Sequence, residues 1–243
     1  MALPVADFFM TPSIAVIIPT LNEERTVSRT LLALRPFQFD EIFIVDGGSD
    51  DQTTALAYSH LSGICRGHAE VLRSEKGRAR QMNSGAAHAA SDVLLFLHAD
   101  TQLPASAPVD IANAMNQLDC VGGRFDVRFE QDRGWAWIIS RLINLRSRLS
   151  RISTGDQAIF VRRTVFCELG GFADIPLMED IELSHRLKLR GPIAAIPSKA
   201  TTSFRRWEQH GTLRTILQMW SLRFLYWIGI SPEKLQYYYA TIR

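Results

Sequence analysis

The chain has 243 residues, 47% apolar and 21% charged, which is the composition of an ordinary globular protein with a sizeable core. Its net charge of +2 excludes a strong global pull toward nucleic acid. No stretch reaches the roughly 18 uninterrupted apolar residues that span a bilayer.

Three cysteines, Cys65, Cys120 and Cys167, are odd in number, far apart and without metal-ligand spacing. They read as reduced thiols of a reducing compartment. The first ten residues contain Asp7 and no basic leader, which argues against a secretory signal. A cytoplasmic protein is expected, attached at most to a membrane surface.

Along the chain, Ile14–Ile18 is a β-branched run ending at Pro19 and reads as a buried strand. A helix is expected to start near Asn22, which caps it, with Glu23 and Glu24 in the first turn and Val27, Leu31, Leu32 and Leu34 at helical spacing. Residues 41–45 form a second strand ending on Asp46, and Gly47–Asp51 turn the chain into a helix running through Tyr58. A weaker strand at 69–72 leads through Lys76-Gly77-Arg78 to a small-residue helix, 79–90, that packs closely on the sheet. A strand at 93–97 follows, and its hydrocarbon run stops on Asp100. This β-α alternation argues for an α/β fold with a doubly wound, mostly parallel sheet flanked by helices. Right-handed crossovers then place Pro19, Asp46 and Asp100 on one rim.

The back half is expected to hold strands at 122–129, 158–161 and 193–196 and helices at 135–152, 179–189 and 213–228. No linker or repeat divides the chain, so 1–243 reads as a single domain. Within it, 14–103 forms the nucleotide-binding half, 104–212 the acceptor and catalytic half, and 213–243 a helical end.

Several segments are suited to chemistry. The turn Pro19-Thr20-Leu21-Asn22-Glu23 joins a strand to a helix, where free backbone N–H groups suit an anion or polar ring; it is equally an ordinary turn. Asp46 can accept from a base N–H or ribose hydroxyls, or simply cap a helix. Asp100 offers a hard oxygen to a phosphate-bound metal. Glu179 and Asp180 open a helix, where two acids also serve as dipole-stabilising caps. Gly155-Asp156-Gln157 is a polar cluster before the strand at Ala158.

Taken together, these segments resemble the family 2 glycosyltransferases, inverting enzymes of the GT-A fold that use nucleotide-sugar donors. The resemblance rests on five ordered motifs over residues 14–196. They are Ile17-Ile18-Pro19-Thr20-Leu21-Asn22-Glu23, Ile44-Val45-Asp46-Gly47-Gly48-Ser49-Asp50-Asp51-Gln52-Thr53, Gly77–Gly85, Phe96-Leu97-His98-Ala99-Asp100, and Met178-Glu179-Asp180. The resemblance implies a nucleoside pocket lined by Pro19, Thr20, Leu21 and Glu23, with Asp46 on the base. Arg78 and Asn83 would lie near base and phosphates, with His98 and Ala99 beside the ribose. Asp100 would hold Mn²⁺ or Mg²⁺ across the diphosphate, and Asp180 of the acidic pair would be the general base that deprotonates an acceptor hydroxyl.

This chain departs from the family where His98 replaces the first Asp of D-x-D, leaving one sure protein ligand for the metal; a neutral His98 also suits Mn²⁺. Ser203 stands where the family often has a histidine. Asp156, Gln157, Arg205, Arg206 and Trp207 are expected on the acceptor and diphosphate side, the arginines gripping phosphate and the indole stacking on a sugar. His210 reads as a surface histidine. The wording of Gly77–Gly85, Leu97–Pro104 and Arg205–Gly211 is similar to that of small bacterial transferases named for radical-SAM and selenodomain neighbours, some linked to arsenosugar assembly.

Trp135, Ile138, Ile139, Leu142, Leu145, Leu149 and Ile152, and likewise Leu213–Ile228, follow helical spacing with arginines between them. Such faces suit core, a homodimer interface or peripheral membrane contact. Two other functions compete. A metal-dependent nucleotidyltransferase would carry glycine and lysine in the first loop, absent from residues 19–25. A non-catalytic nucleotide-sugar-binding protein is compatible with the altered D-x-D. A dinucleotide-binding dehydrogenase is excluded, since no G-x-G-x-x-G opens the first helix. The decisive expectation is that Asp46, Asp100 and Asp180 meet at one crevice, with the base, sugar and acceptor left open.

Overall fold

The computed structural model describes residues 11–117, 119–205 and 211–241. Its strands are β1 (Ile14–Thr20), β2 (Glu41–Asp46), β3 (His68–Arg73), β4 (Val93–Phe96), β5 (Thr101–Gln102), β6 (Gly122–Phe129), β7 (Ile159–Arg162) and β8 (Ile193–Thr202). The helices are α1 (Val27–Leu34), α2 (Thr53–His60), α3 (Arg78–His88), α4 (Ala107–Met115), α5 (Trp135–Ser150), α6 (Arg163–Glu168), α7 (Glu179–Arg190), α8 (Thr212–Trp227) and α9 (Pro232–Thr241).

The eight strands form one sheet in the order β3-β2-β1-β4-β7-β6-β8-β5. The front four are mutually parallel. Strand β7 then runs antiparallel to β4 and β6, and β8 is parallel to β6. The sheet is therefore mostly parallel, as its continuous apolar runs imply.

Alternation along the strands sends side chains to two cores. Val16, Ile18, Ile42, Ile44 and Leu95 meet α1, α2 and α4 on one face. Ala15, Ile17, Phe43, Val45, Leu94 and Phe96 meet α3 and α7 on the other. The alanine- and glycine-rich α3 does lie close on the sheet. A Cβ on Gly85 would come within 2.6 Å of Ile17 Cγ2 and 3.0 Å of Val45 Cγ2, so only glycine allows this approach.

Register fixes the rim. Thr20 lies beside Asp46, and Ile17 beside Phe96, so the chain after β1, β2 and β4 leaves at the same edge. The antiparallel β7 arrives there from the preceding turn at 155–157, which brings the back half onto the same rim.

Several expectations are corrected. Helix α1 starts at Val27 rather than near Asn22, and Asn22 caps nothing. It sits at φ 56°, a left-handed conformation that asparagine tolerates, and its amide oxygen accepts from Asp50 N–H (3.1 Å). Strand β8 runs to Thr202, well past 196. Elements β5, α4 and α6 had no expectation, being short or weakly periodic, while α9 falls within the helical end expected over 213–243. The motif residues Arg206, Trp207 and His210 lie outside the described residues.

Candidate active site

The turn after β1 offers fewer donors than expected. The N–H groups of Asn22, Glu23 and Glu24 already donate to Ser49 Oγ (2.9 Å), Thr53 Oγ1 (2.7 Å) and Asp51 Oδ2 (3.2 Å). Those partners belong to the loop after β2, so the two rim loops are laced together and no anion cradle is left open at 22–24. The side chain of Thr20 is buried, its hydroxyl turned to Val45 O (3.4 Å).

Asp46 is buried and folds onto its own loop. Its Oδ2 accepts from Gly48 and Ser49 N–H (2.9 Å each) and its Oδ1 from Ser49 Oγ (2.5 Å). Asn83 is likewise occupied: its amide exchanges hydrogen bonds with Phe172 O (2.8 Å) and Phe172 N–H (2.9 Å), pinning a loop rather than facing a phosphate. Ala99 is buried, and its carbonyl accepts from Thr30 Oγ1 (2.7 Å). Gln157 is fully buried in a capping box with Thr154, its carbonyl oxygen accepting from Thr154 N–H (3.1 Å), so it supports the 155–157 turn and does not face an acceptor.

Other expected residues do come together. Arg78, His98, Gly155, Glu179 and Asp180 line one small cleft, floored by Met82, Phe96, Ile159 and Phe172. Asp180 is fixed from two sides: Oδ2 accepts from Gly155 N–H (2.9 Å) and Oδ1 from Ile181 N–H (2.7 Å). The residue that aims the acidic pair is Met178, buried and held at φ 72°. A side chain in that region costs on the order of 1–3 kcal/mol, and such strain clusters at functional sites. His98 packs closely against the turn; a Cβ on Gly155 would lie 2.3 Å from His98 Nε2.

Glu179 is almost fully buried, with Arg78 Nη1 3.3 Å from its Oε1. Burial first, and then the neighbouring Asp180 charge, push its carboxyl above the ordinary value, while Arg78 pulls the other way. Burial, reinforced by the Asp180 charge, thus favours the protonated form of Glu179. Folded-state stability therefore falls as pH rises from the unfolded Glu value near 4.5 through the raised folded value, because the ionised side chain is then carried at a cost. The variant Glu179→Gln is expected to melt at or above the parent at neutral pH, and level with it below pH 4.5. Thermal melts across pH check this; a lower midpoint at neutral pH would show that the Arg78 contact dominates.

Next to the cleft, the Glu23 carboxyl is raised by burial and by the Asp100 charge, and lowered by its Thr26 hydrogen bond, by Arg205 and by Arg78. Glu23 and Asp100 are therefore neighbours of like charge, an arrangement that a cation relieves. Arg205 Nη2 lies 4.0 Å from Glu23 Oε2. Among the described residues, no group of three His, Cys, Asp or Glu is assembled to hold a metal. Asp100 with phosphate oxygens from a ligand suits Mg²⁺ or Mn²⁺, which commonly take one or two carboxylates plus substrate phosphates.

Sequence reasoning missed Arg146 as a site residue and treated it only as charge on α5. Its Nε and Nη2, like Asp156 Oδ1, are buried without a hydrogen-bond partner. Burial and the nearby Arg223 push Arg146 down to about 10, opposed by Asp156 and Asp180. Tyr226 of α8 is raised by burial and by the charges of Glu182 and Asp180. Arg146 and Tyr226 thus both feel the charge of Asp180, and no motif marked either.

A parallel half-sheet whose strand ends face an acidic helix start across a cleft is the arrangement of GT-A transferases. The family model for glycosyl transferase family 2 matches residues 15–173, and the chain belongs to that family. It is 29% identical over 196 residues to an uncharacterized glycosyltransferase of Mycobacterium tuberculosis, covering 73% of this chain and 70% of that protein. Among solved structures, it resembles a mannosyltransferase from Pyrobaculum calidifontis in complex with GDP-Man and Mn²⁺, with TM-score 0.67 and 18% identity over 95% of this chain and 70% of the other. It also resembles S. aureus TarS in complex with UDP-GlcNAc, with TM-score 0.62 and 18% identity over 79% of this chain but 58% of that one.

Proposed function

We propose that the chain is an inverting glycosyltransferase that moves a sugar from a nucleotide-diphosphate donor to an acceptor hydroxyl. The observation that carries this reading is Asp180, held by Gly155 and Ile181 N–H in the cleft it shares with His98 and Arg78. Asp180 takes the acceptor proton as the hydroxyl oxygen attacks the anomeric carbon; the bond to the diphosphate oxygen breaks and its electron pair leaves with the nucleotide. Glu179 holds Arg78 at the cleft. Asp100 would bind Mn²⁺ or Mg²⁺ together with the diphosphate, and the metal when bound supplies charge neutralisation at the leaving group. Structures of relatives in complex with Mn²⁺ and GDP-Man or with UDP-GlcNAc support a donor of this class.

The front half, 14–103, binds the nucleotide in this reading and 104–212 the acceptor. The 77–85 and 97–104 wording supports a place beside the radical-SAM-associated, arsenosugar-type transferases. No helix among the described residues is long and apolar enough to cross a membrane, and a cytoplasmic location is proposed, with partner surfaces on α5 and α8.

A thermal-shift series with UDP, GDP, CDP and dTDP, each with and without Mn²⁺, tests the reading. One diphosphate is expected to stabilise by about 2–3 kcal/mol at a hundredfold excess over its dissociation constant, and more with metal. No response to any of the four contradicts it. Binding without any transfer or hydrolysis favours a nucleotide-sugar-binding protein instead.

A further inference from the structure

Helices α5 and α8 turn apolar rows to the outside. On α5 the row includes Leu142, Leu145 and Leu149, and on α8 it includes Trp220, Phe224 and Trp227, with Leu149 and Trp227 each 78% exposed and Trp220 67%. Their inner faces share one cluster, where Ala136 and Ile139 pack on Phe129 together with Ile143 and Ile216, so both helices are anchored on the same part of the body. Scattered single apolar residues on a surface need no explanation, but two rows of this size on helices anchored in one cluster do.

Charge selects what covers them. Neither 135–151 nor 211–232 contains an Asp or Glu. Exposed arginines flank the rows instead, Arg141, Arg151 and Arg214 among them, and the Arg141 guanidinium lies 5.1 Å from the ring centre of Trp137. A second copy docking by the same rows would set these arginines against one another with no acid on either row's helix to pair them, which is unfavourable. An anionic bilayer offers the opposite: phosphate and carboxylate groups for the arginines, an acyl boundary for leucine and phenylalanine, and the headgroup level that tryptophan prefers.

We propose that the α5–α8 face docks the protein on the surface of an anionic membrane. Leu222 of α8 joins Met178 and Ile181 in one cluster, so the docking helix also braces the segment that carries Asp180. The docking needs no donor and stands apart from the transfer reading.

Vesicle flotation of the full chain tests it, comparing phosphatidylcholine alone with mixtures of phosphatidylcholine and phosphatidylglycerol. The chain is expected to float with the anionic vesicles, with tryptophan emission shifted to shorter wavelength, and to release as salt rises. The double variant Trp220→Ser/Trp227→Ser, at positions exposed enough to leave the fold intact by circular dichroism, is expected to lose about tenfold or more in partition. Three results overturn the proposal: no flotation with either vesicle type, equal partition to the uncharged vesicles, or a non-floating dimer that the same double variant dissolves. None of them bears on nucleotide binding, which the thermal-shift series reads separately.

Discussion

Replacing Asp180 with Asn is expected to cut turnover by about a hundred- to ten-thousand-fold, the range that a positioned general base contributes. Asn keeps the shape and can still accept from Gly155 or Ile181 N–H, but it cannot take the acceptor proton. Losing one of the two bonds that the carboxylate accepts adds a stability cost of about 1 kcal/mol. Diphosphate binding should survive, because none of the residues assigned to the nucleotide is changed. Initial rates measured beside diphosphate-induced melting shifts separate the two effects. An unchanged rate removes Asp180 from the mechanism, and a loss of binding as large as the loss of rate makes it a structural residue.

The second large effect concerns Gln81, which no motif reasoning singled out. Its side chain is 4% exposed, and Nε2 donates both hydrogens, to Thr20 O (2.7 Å) and Val45 O (2.8 Å). One amide thus ties together the ends of β1 and β2. The variant Gln81→Leu removes both bonds while Thr20 O keeps Gly47 N–H (2.9 Å) and Val45 O keeps the Thr20 hydroxyl (3.4 Å), so each loss costs about 0.5–1.5 kcal/mol. For a chain of this size, a loss of roughly 2 kcal/mol lowers the midpoint by about 4–8 °C. The loop carrying Asp46 should loosen with it, so nucleotide binding is expected to fall in the same variant. Calorimetry gives the midpoint; one within about a degree of the parent would mean that Gly47 N–H and the Thr20 hydroxyl already hold the two carbonyls.

The fold was legible where periodicity is strong. Ile14–Ile18 and Ile42–Val45 are hydrocarbon on both faces because helices cover both sides of the sheet. The start of α1 was misread because Asn22 and Glu23 look like caps from local pattern alone, while their partners Ser49 and Thr53 lie about thirty residues away. The same limit applies to Asn83 and Thr20, polar residues in motif segments that serve the scaffold. The order of these motifs said which strand ends meet, yet not which atoms already have partners. Asp180, Glu179, Arg78 and His98 share one cleft because helix starts and strand ends converge by topology. Arg146 escaped notice because it sits among other arginines on an amphipathic helix, and only burial sets it apart. Of the three acids expected to meet, Asp180 lines the cleft, Asp100 acts on the adjoining Glu23, and Asp46 stands on the rim with its carboxylate wrapped into its own loop.

The stitching between segments 22–24 and 49–53 makes two loops into a single stiff wall. A visitor meeting that wall finds its shape settled beforehand, so little ordering entropy is spent on that side when it arrives. Whatever movement accompanies capture therefore falls to the opposite bank, where Met178 is held at φ 72° and two buried nitrogens of Arg146 have no hydrogen-bond partner.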